Sequence, residues 1–289
     1  MGLKKIHRIY FGFDGKADPY LSYLKTWKKQ LPEYEIVYWT ADDLPIANCY
    51  FSQLMFDLKD HAFLSDYFRW WILKEHGGIY LDADTEIVDG HIFNQLVQEV
   101  EDHPRQQGFI GIDNRSGGWY TAHTMGMKRQ SEMAQFMCEV YENLGSISLW
   151  RRKIFYMMAP QLAALYFASR GHNVDGMGSS PNLDTPIELF GIKIFPQEYF
   201  SPLTPSEIVG EFIVDSKTVN TCVCHHFSCS WHDIDSPYRR MDRNELLLAD
   251  VIRILGDSST SRSRRSAKVK ELFQLGQVGF KKAKKIILK

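Results

Sequence analysis

The most constraining feature of this sequence is a helical segment that ends at two glycines and leads directly into a short apolar stretch and two aspartates. Gly77 and Gly78 end the helix, as glycines commonly do just after the last helical residue. Residues 79–81 are predicted to form a short buried strand, and Asp82 and Asp84 stand where it ends. In open α/β sheets, ligands bind beyond the carboxyl ends of the strands, so a ligand site is predicted here.

The remainder of the chain alternates between strand and helix patterns. Strands at 5–12 and 35–39 with a helix at 18–30 between them form a βαβ unit, which predicts parallel pairing. Other predicted helices cover 51–76, 130–144 and 160–170, and other short strands cover 187–195 and 221–227. Residues 104–125 are predicted to be loop because they contain four glycines. The prediction is an α/β catalytic domain over 1–255 and a linker with a basic amphipathic tail over 256–289.

Composition narrows the class of protein. The 289 residues have a net charge of −1 and are 44% hydrophobic, which excludes wholesale disorder and a chain-wide nucleic-acid surface. The charge is uneven, since 261–289 carries +9 and the rest of the chain −10. No apolar run reaches the ~18 residues of a membrane span, and the opening residues lack the apolar core of a secretory signal. Together with an odd number of cysteines, five, this predicts a cytoplasmic protein with free thiols.

The acidic residues predict a hard-oxygen site. Asp82 and Asp84 are carboxylates one residue apart, which suits Mg²⁺ or Mn²⁺ together with substrate phosphates. Asp66 and Arg69 are three residues apart on the preceding helix and therefore share a face. They are candidates for holding hydroxyls or a phosphate, although a surface ion pair would have the same spacing.

Two other site classes use similar residues. A calcium-binding EF-hand loop starting at Asp82 would need Gly and Glu where Ile87 and Phe93 stand, so it is excluded. A haloacid-dehalogenase-type phosphohydrolase with Asp82 as nucleophile remains an alternative, although Glu86 replaces the Thr or Val expected there. A non-catalytic module that binds a nucleotide-sugar is the second alternative.

A cluster of potential ligands lies near the end of the globular part. Its members are Cys222, Cys224, His225, His226 and Cys229. Zinc is one interpretation, but the spacing differs from that of known structural zinc sites. The other interpretation is a strand with buried thiols and a core histidine.

Several of these motifs resemble one enzyme family. Ser65-Asp66-x-x-Arg69 followed by 77–84 resembles the DXD sugar-binding signature of glycosyltransferase family 32. This family includes capsular-polysaccharide transferases and mannosyltransferases and is distantly similar to the glucosylating domains of clostridial toxins. The opening 7–12 and the C-terminal 225–231 resemble other elements of the family, so the likeness covers about 5–232.

The resemblance implies a GT-A fold, which is a Rossmann-like mixed sheet flanked by helices, and transfer of a hexose with retention of anomeric configuration. By position, Asp84 is expected to bind Mn²⁺ (or Mg²⁺) directly, and Asp82 to contact the metal and the ribose. Asp66 and Arg69 are expected to hold hydroxyls of the donor sugar. The donor is expected to be a nucleotide-sugar, with UDP favoured by analogy.

The family elements at the two ends of the match imply further contacts with the nucleotide. Tyr10 is expected to stack on the base, with the backbone of Phe11 and Gly12 close to it. His226 is the favoured C-terminal metal ligand and His225 the alternative, because neighbouring strand residues point to opposite faces. Ser230 and Trp231 are expected to reach the diphosphate, to which an indole N–H can donate. Ser228 is the alternative to Ser230.

The basic tail predicts a partner of its own. Residues 261–289 interleave bases with apolar side chains, a pattern typical of a helix that lies on an anionic membrane. A location on the inner face of the membrane would suit a lipid-linked saccharide acceptor in surface polysaccharide synthesis. No nucleic-acid partner is expected.

Overall fold

The computed structural model describes residues 2–113, 119–144, 159–172, 183–205 and 213–228. The helices in these ranges are α1 (Leu21–Gln30), α2 (Tyr50–Asp57), α3 (His61–His76), α4 (Gly90–Asp102), α5 (Glu132–Asn143), α6 (Ala159–Ala168) and α7 (Gln197–Phe200). None of the helices in these ranges is both long enough and apolar enough to cross a bilayer.

The strands of the described ranges form one large sheet and two small ones. They are β1 (Lys5–Ile9), β2 (Glu35–Trp39), β3 (Gly78–Leu81), β4 (Thr85–Ile87), β5 (Gly108–Asp113), β6 (Trp119–Met127), β7 (Ile187–Leu189), β8 (Ile192–Phe195), β9 (Leu203–Pro205), β10 (Ile213–Asp215) and β11 (Val223–His225). The large sheet has the order β2-β1-β3-β6-β5-β8-β7, and β9 pairs with β10 and β4 with β11.

The large sheet is mixed. Strand β1 runs parallel to β2 and β3, as the βαβ pattern predicts, with Ile6 opposite Ile36 and Ile79. Strand β6 then runs antiparallel to both β3 and β5, and β5 is parallel to β8. The prediction of an α/β chain built on a Rossmann-like mixed sheet with flanking helices is confirmed.

Strand β3 contributes to both faces of the sheet. Ile79 and Leu81 are buried in a cluster that contains Trp27 of α1 and Phe93 of α4. Tyr80 points to the opposite face, where the Arg69 guanidinium of α3 lies 5.0 Å from its ring centroid. The two-residue alternation of a strand therefore separates the apolar core from the face that carries the polar site.

The predicted helix at 51–76 is two helices. Helix α2 ends at Asp57 and α3 begins at His61, and Lys59 between them has a φ of +56°. The Asp60 carboxylate accepts a hydrogen bond from the Phe63 amide at 3.3 Å, which caps the start of α3. The break was not predicted because a lysine occupies the left-handed position that is most often glycine.

The prediction of a loop at 104–125 is wrong, because β5 and most of β6 lie there. Gly108 and Gly111 reflect close packing around β5 rather than turns, and Gly117 and Gly118 lie outside the described residues. A Cβ atom on Gly108 would lie 2.4 Å from the carbonyl oxygen of Gly126 on the neighbouring strand. Glycine is therefore required where the two strands approach each other.

The chain divides into two compact units. The first comprises 1–45, 65–141 and 157–228, and it contains the large sheet. The second includes 46–64, with helix α2. The predicted boundary at 255 and the tail at 256–289 lie outside the described residues, so the division into a catalytic domain and a tail stays a prediction.

Candidate active site

The two predicted metal-binding aspartates lie on the turn that follows β3. The carbonyl oxygen of Asp82 accepts hydrogen bonds from the Thr85 amide at 3.1 Å and the Thr85 hydroxyl at 2.8 Å. Helix α1 holds the far side of this turn, since the Trp27 indole donates to the Thr85 carbonyl at 2.8 Å. Asp84 is thereby held beside Asp82, and its carboxylate is buried.

Pairing of β11 with β4 brings a histidine to this turn. His225 lies opposite Thr85 in the antiparallel register, and the next amide, of His226, donates to the Asp84 carbonyl at 3.1 Å. His225 Nε2 is 3.3 Å from Asp84 Oδ1 and 4.0 Å from Asp82 Oδ2. The three side chains offer ligand atoms that all lie within 4.8 Å of one another.

The preference for His226 over His225 as the histidine of this group needs correction. His226 points away from the aspartates, and its Nε2 lies 3.1 Å from Glu86 Oε2. Its ring stacks on Tyr23 at a centroid distance of 4.3 Å. Only one of two neighbouring histidines can face the site, as expected, and the register of β11 selects His225.

The surroundings of Asp84 favour the ionised form of its carboxylate. Burial by itself would raise its pKa, but nearby His225 and the hydrogen bonds from His225 and Ser228 outweigh burial. The pKa of Asp84 therefore lies well below its usual range. The negative charge is consequently retained at neutral pH, which a hard cation requires of its ligand.

Arg69 contacts both Asp66 and Asp82. Its Nη2 lies 2.9 Å from Asp66 Oδ1 and 3.4 Å from Asp82 Oδ1. Its Nη1 donates to the Ala122 carbonyl at 2.9 Å, and its Nε donates to the Ser65 carbonyl at 3.2 Å. The shared helix face predicted for Asp66 and Arg69 is present, and the guanidinium fixes the positions of the two carboxylates.

Asp66 is held in a largely buried environment. Burial raises its pKa to about 6, against the opposing effect of the Arg69 charge and of a hydrogen bond from the Ala159 amide. That amide belongs to the first residue of α6. The carboxylate of Asp66 thus accepts a hydrogen bond at the amino end of a helix, where negative charge is stabilised.

Tyr80 contacts Asp82, and this contact was not predicted from the sequence. Its hydroxyl donates to Asp82 Oδ1 at 2.8 Å, and burial raises the pKa of this phenol well above its usual value. The phenol of Tyr80 therefore stays protonated at neutral pH and donates to the carboxylate of Asp82. The signal available in the sequence was the two-residue spacing, which places Tyr80 and Asp82 on one face of β3.

Ser228 and Tyr20 are two further contacts of the site. The Ser228 hydroxyl donates to Asp84 Oδ2 at 2.6 Å and accepts a hydrogen bond from the Tyr20 hydroxyl at 3.0 Å. The sequence predicts Ser228 only as a contact of the diphosphate, and it does not predict Tyr20, which lies 208 residues away, as a contact of Ser228. Only the tertiary structure reveals this connection.

The residues predicted to contact the base lie at the end of β1. The Tyr10 hydroxyl donates to the Ala17 carbonyl at 2.8 Å, which fixes the ring on the loop that follows. Phe11 is buried and stacks on Phe13 at 5.8 Å. A Cβ atom on Gly12 would lie 2.9 Å from the Lys16 carbonyl oxygen, so the loop has no room for a larger residue there. Ser230 and Trp231 lie outside the described residues.

The donor set fits a hard or borderline divalent cation. Two carboxylates and one imidazole are oxygen and nitrogen ligands of the kind that Mn²⁺ accepts, whereas Mg²⁺ is bound mainly through oxygen. In the part of the chain that the structure describes, no group of metal-ligating side chains includes a cysteine, and Cys222 and Cys224 are buried and form no disulfide. The zinc interpretation gains no support from these residues.

Comparison with known proteins identifies the region around the aspartates. Residues 19–101 match the family model described as "Glycosyltransferase sugar-binding region containing DXD motif". This region contains Asp66, Arg69, Asp82 and Asp84, whereas His225 lies outside it. No curated protein sequence matches the chain.

Solved glycosyltransferase structures show distant likeness. The PaToxG glycosyltransferase is 14% identical and aligns over 58% of this chain and 69% of its own, with a TM-score of 0.42. The galactosyltransferase LgtC, in complex with donor and acceptor sugar analogs, is 12% identical over 91% of this chain and 99% of its own, with a TM-score of 0.43. A glycosyltransferase involved in glycosylation of the major capsid of PBCV-1 is 7% identical over 77% and 94%, with a TM-score of 0.43.

Proposed function

We propose that this chain is a metal-dependent retaining glycosyltransferase that moves a hexose from a nucleotide-sugar, a UDP-sugar, to a saccharide or lipid-linked acceptor. The match of residues 19–101 to a glycosyltransferase sugar-binding region of the DXD type supports this activity. The observation that carries the metal dependence is the convergence of Asp82, Asp84 and His225 at the end of β3. Synthesis of surface polysaccharide is the proposed context.

Asp82, Asp84 and His225 are the proposed holders of a Mn²⁺ or Mg²⁺ ion. When bound, such an ion neutralises charge that develops on a leaving diphosphate. The low pKa of Asp84 keeps one ligand anionic over the whole neutral range. Tyr80 and Arg69 both contact Asp82 Oδ1, which leaves Oδ2 as the atom nearer to His225.

Asp66 and Arg69 are the proposed holders of the donor sugar. Their ion pair is fixed by the Ala122 carbonyl and by the start of α6, so the two polar groups are preorganised before a sugar arrives. Tyr10 is proposed to stack on the base, and Ser230 and Trp231 to contact the diphosphate. Retention follows from the family resemblance, and front-face attack assisted by the leaving phosphate requires no protein nucleophile.

A screen of nucleotide-sugars tests this function. Thermal shift with UDP-glucose, UDP-galactose, UDP-N-acetylhexosamines and GDP-mannose, each with and without Mn²⁺, should show one donor that stabilises the protein only when the metal is present. That donor should then be hydrolysed slowly to sugar and its nucleoside diphosphate, which is UDP if the proposal is right, with no inorganic phosphate released. Asp82→Asn should abolish hydrolysis. Phosphate release from simple phosphomonoesters would instead support the phosphohydrolase alternative.

The location and acceptor form a separate part of the proposal. A cytoplasmic enzyme held on the inner membrane face by 261–289 would meet lipid-linked saccharides at the bilayer surface. The +9 charge of this segment against −10 for the remainder of the chain supports attraction to anionic lipid. The proposal includes no nucleic-acid partner.

A further inference from the structure

Among the described residues, the imidazole of His225 has no partner for the hydrogen bond that usually orients a metal-binding histidine. Such a histidine ordinarily donates its second ring nitrogen to a carboxylate or carbonyl, which fixes the ring. His225 points Nε2 at the aspartates, and its buried Nδ1 has no hydrogen-bond partner among the described residues. In the part of the chain that the structure describes, other contacts bound this ring.

Those contacts are two aromatic rings. The His123 imidazole stacks on His225 at a centroid distance of 4.2 Å and an interplanar angle of 10°. Phe227 also lies 4.2 Å from His225, at 64°, in an edge arrangement. A ring that is covered by a parallel neighbour and bounded by an edge has little freedom to rotate.

His123 is itself firmly held. Its Nε2 lies 2.7 Å from the Ser201 hydroxyl, and its Nδ1 lies 2.9 Å from the Thr124 hydroxyl. The residue is only 5% exposed. Because both ring nitrogens of this buried side chain contact hydroxyl groups, its ring is held in one position, and a second ring can stack on it.

His123 also contacts the acidic end of the site. Its carbonyl oxygen accepts a hydrogen bond from the Asp82 amide at 2.8 Å, next to the β3–β6 pair of Leu81 with Thr124. A single residue of β6 therefore touches the backbone of one proposed ligand and the side chain of another.

We propose that His123 is a positioning residue whose ring holds the His225 imidazole toward Asp82 and Asp84. This inference rests on the proposed metal site. Without the stacked ring, His225 can turn about its side-chain bonds and offer Nδ1 to another partner, which moves Nε2 away from the aspartates. The loss should fall on metal affinity rather than on the fold alone.

The test measures the Mn²⁺ affinity of the full-length protein in the absence of nucleotide. The electron paramagnetic resonance signal of free Mn²⁺ reports how much of the ion is bound. His123→Ala should weaken binding by about 10-fold or more, as substitutions behind metal ligands do. His123→Phe keeps a ring for stacking and loses both hydroxyl contacts, so it should retain most of the affinity. His7→Gln changes a buried histidine elsewhere in the fold and should leave Mn²⁺ affinity unchanged. Melting temperatures of all variants report folding.

A double-mutant cycle separates positioning from general destabilisation. In a His225→Ala background, His123→Ala should cause no further loss of Mn²⁺ affinity, because the ring that it positions is absent. An equal additional loss in that background would overturn the proposal, as would a His123→Ala variant that binds Mn²⁺ like the wild type. Failure of the wild-type protein to bind Mn²⁺ would overturn the proposed metal site, and the inference with it. That result is distinct from normal wild-type binding that is unaffected by His123→Ala.

Discussion

Ser228 donates two hydrogen bonds to the same carboxylate oxygen of Asp84, from its amide at 2.9 Å and from its hydroxyl at 2.6 Å. The Tyr20 hydroxyl in turn donates to the Ser228 hydroxyl at 3.0 Å. This chain of donors occupies Oδ2, and Oδ1 is the oxygen that faces His225. The proposed metal ligand is thus oriented by two residues that lie 208 positions apart in the sequence.

Removal of the serine hydroxyl should therefore weaken metal binding. We expect Ser228→Ala to lower Mn²⁺ affinity by about 10-fold, because oriented carboxylates depend on their hydrogen-bond partners. Tyr20→Phe removes only the outer donor and should have a smaller effect. Tyr23→Phe is the matched control, since its ring stacking on His226 is kept. Isothermal titration with Mn²⁺ measures all three, and equal affinities for Ser228→Ala and wild type would contradict the expectation.

Substitution of the buried carboxylate itself should be more severe. Asp84→Asn keeps the side-chain volume and removes the anionic charge, so activity should be lost and excess Mn²⁺ should restore only part of it. Circular dichroism should show an unchanged fold. The measurement is turnover of the donor across a Mn²⁺ titration, and full turnover by this variant in the presence of a chelator would exclude the metal role of Asp84.

The donor sugar and the nucleotide should respond differently to a change at Asp66. We expect Asp66→Asn to reduce turnover on the order of 100-fold, the scale seen when one preorganised polar contact is lost. UDP alone should bind nearly as it does to the wild type, because Asp66 is proposed to contact the sugar. Affinities for UDP and the UDP-sugar, measured side by side, check this. A parallel loss of both would show that Asp66 lies elsewhere in the complex.

The central site was predictable because its signal is local. One short stretch contains the glycines after α3, the apolar residues of β3 and the closely spaced Asp82 and Asp84. Together these features predict two carboxylates at the end of a strand. The ion pair of Asp66 with Arg69 also follows from helical spacing alone. Local periodicity therefore determined which residues meet.

The choice between His225 and His226 was not predictable on the same basis. Strand alternation requires that only one of them faces the aspartates, but the register between β11 and β4 decides which. That register joins segments about 140 residues apart in sequence. Gly108 and Gly111 led to the wrong loop prediction for a related reason, since both are required by close contacts with residues distant in sequence rather than by turns.

Stability should depend on pH through His7, which lies away from the proposed site. Its Nε2 is 2.8 Å from the Gly77 carbonyl, and its Nδ1 accepts from the Trp39 indole at 3.1 Å. Burial, with smaller contributions from the nearby charges of His76 and Lys5, lowers the pKa of His7 to about 4 against the opposing effect of the hydrogen bond to Gly77. The neutral ring is therefore the form that the fold requires.

The sign follows from proton uptake. Between about pH 6.5 and pH 4 the unfolded chain binds a proton at His7 that the folded chain does not, so the free energy of unfolding falls as the pH falls. From pH 7 to pH 5 this contribution is on the order of 2 kcal/mol. His7→Gln can make both hydrogen bonds and cannot titrate, so its urea unfolding should lose less stability over that interval. An identical pH dependence in the two proteins would rule out His7 as the cause.

The basic segment should govern membrane attachment without affecting the chemistry. Truncation after Leu255 removes the +9 segment and leaves every residue of the Asp82–Asp84–His225 group in place. Hydrolysis of the nucleotide-sugar should be nearly unchanged, whereas binding to vesicles that contain anionic phospholipid should be lost. Transfer to a lipid-linked acceptor should also slow. Vesicle sedimentation and a donor-hydrolysis assay on the same preparations measure the two effects.

Electrostatic attraction predicts two further results for the full-length protein. Binding to anionic vesicles should weaken as salt is raised, because charges separated by more than ~8 Å are screened at physiological ionic strength. Replacement of Lys281, Lys282, Lys284 and Lys285 by Gln should weaken it strongly, since each base near an anionic surface contributes about 1 kcal/mol. Neutral vesicles serve as the control. Equal partitioning of the full-length and truncated proteins would assign the segment to another contact, and the mass of the protein in solution would then decide whether that contact joins two copies of the chain.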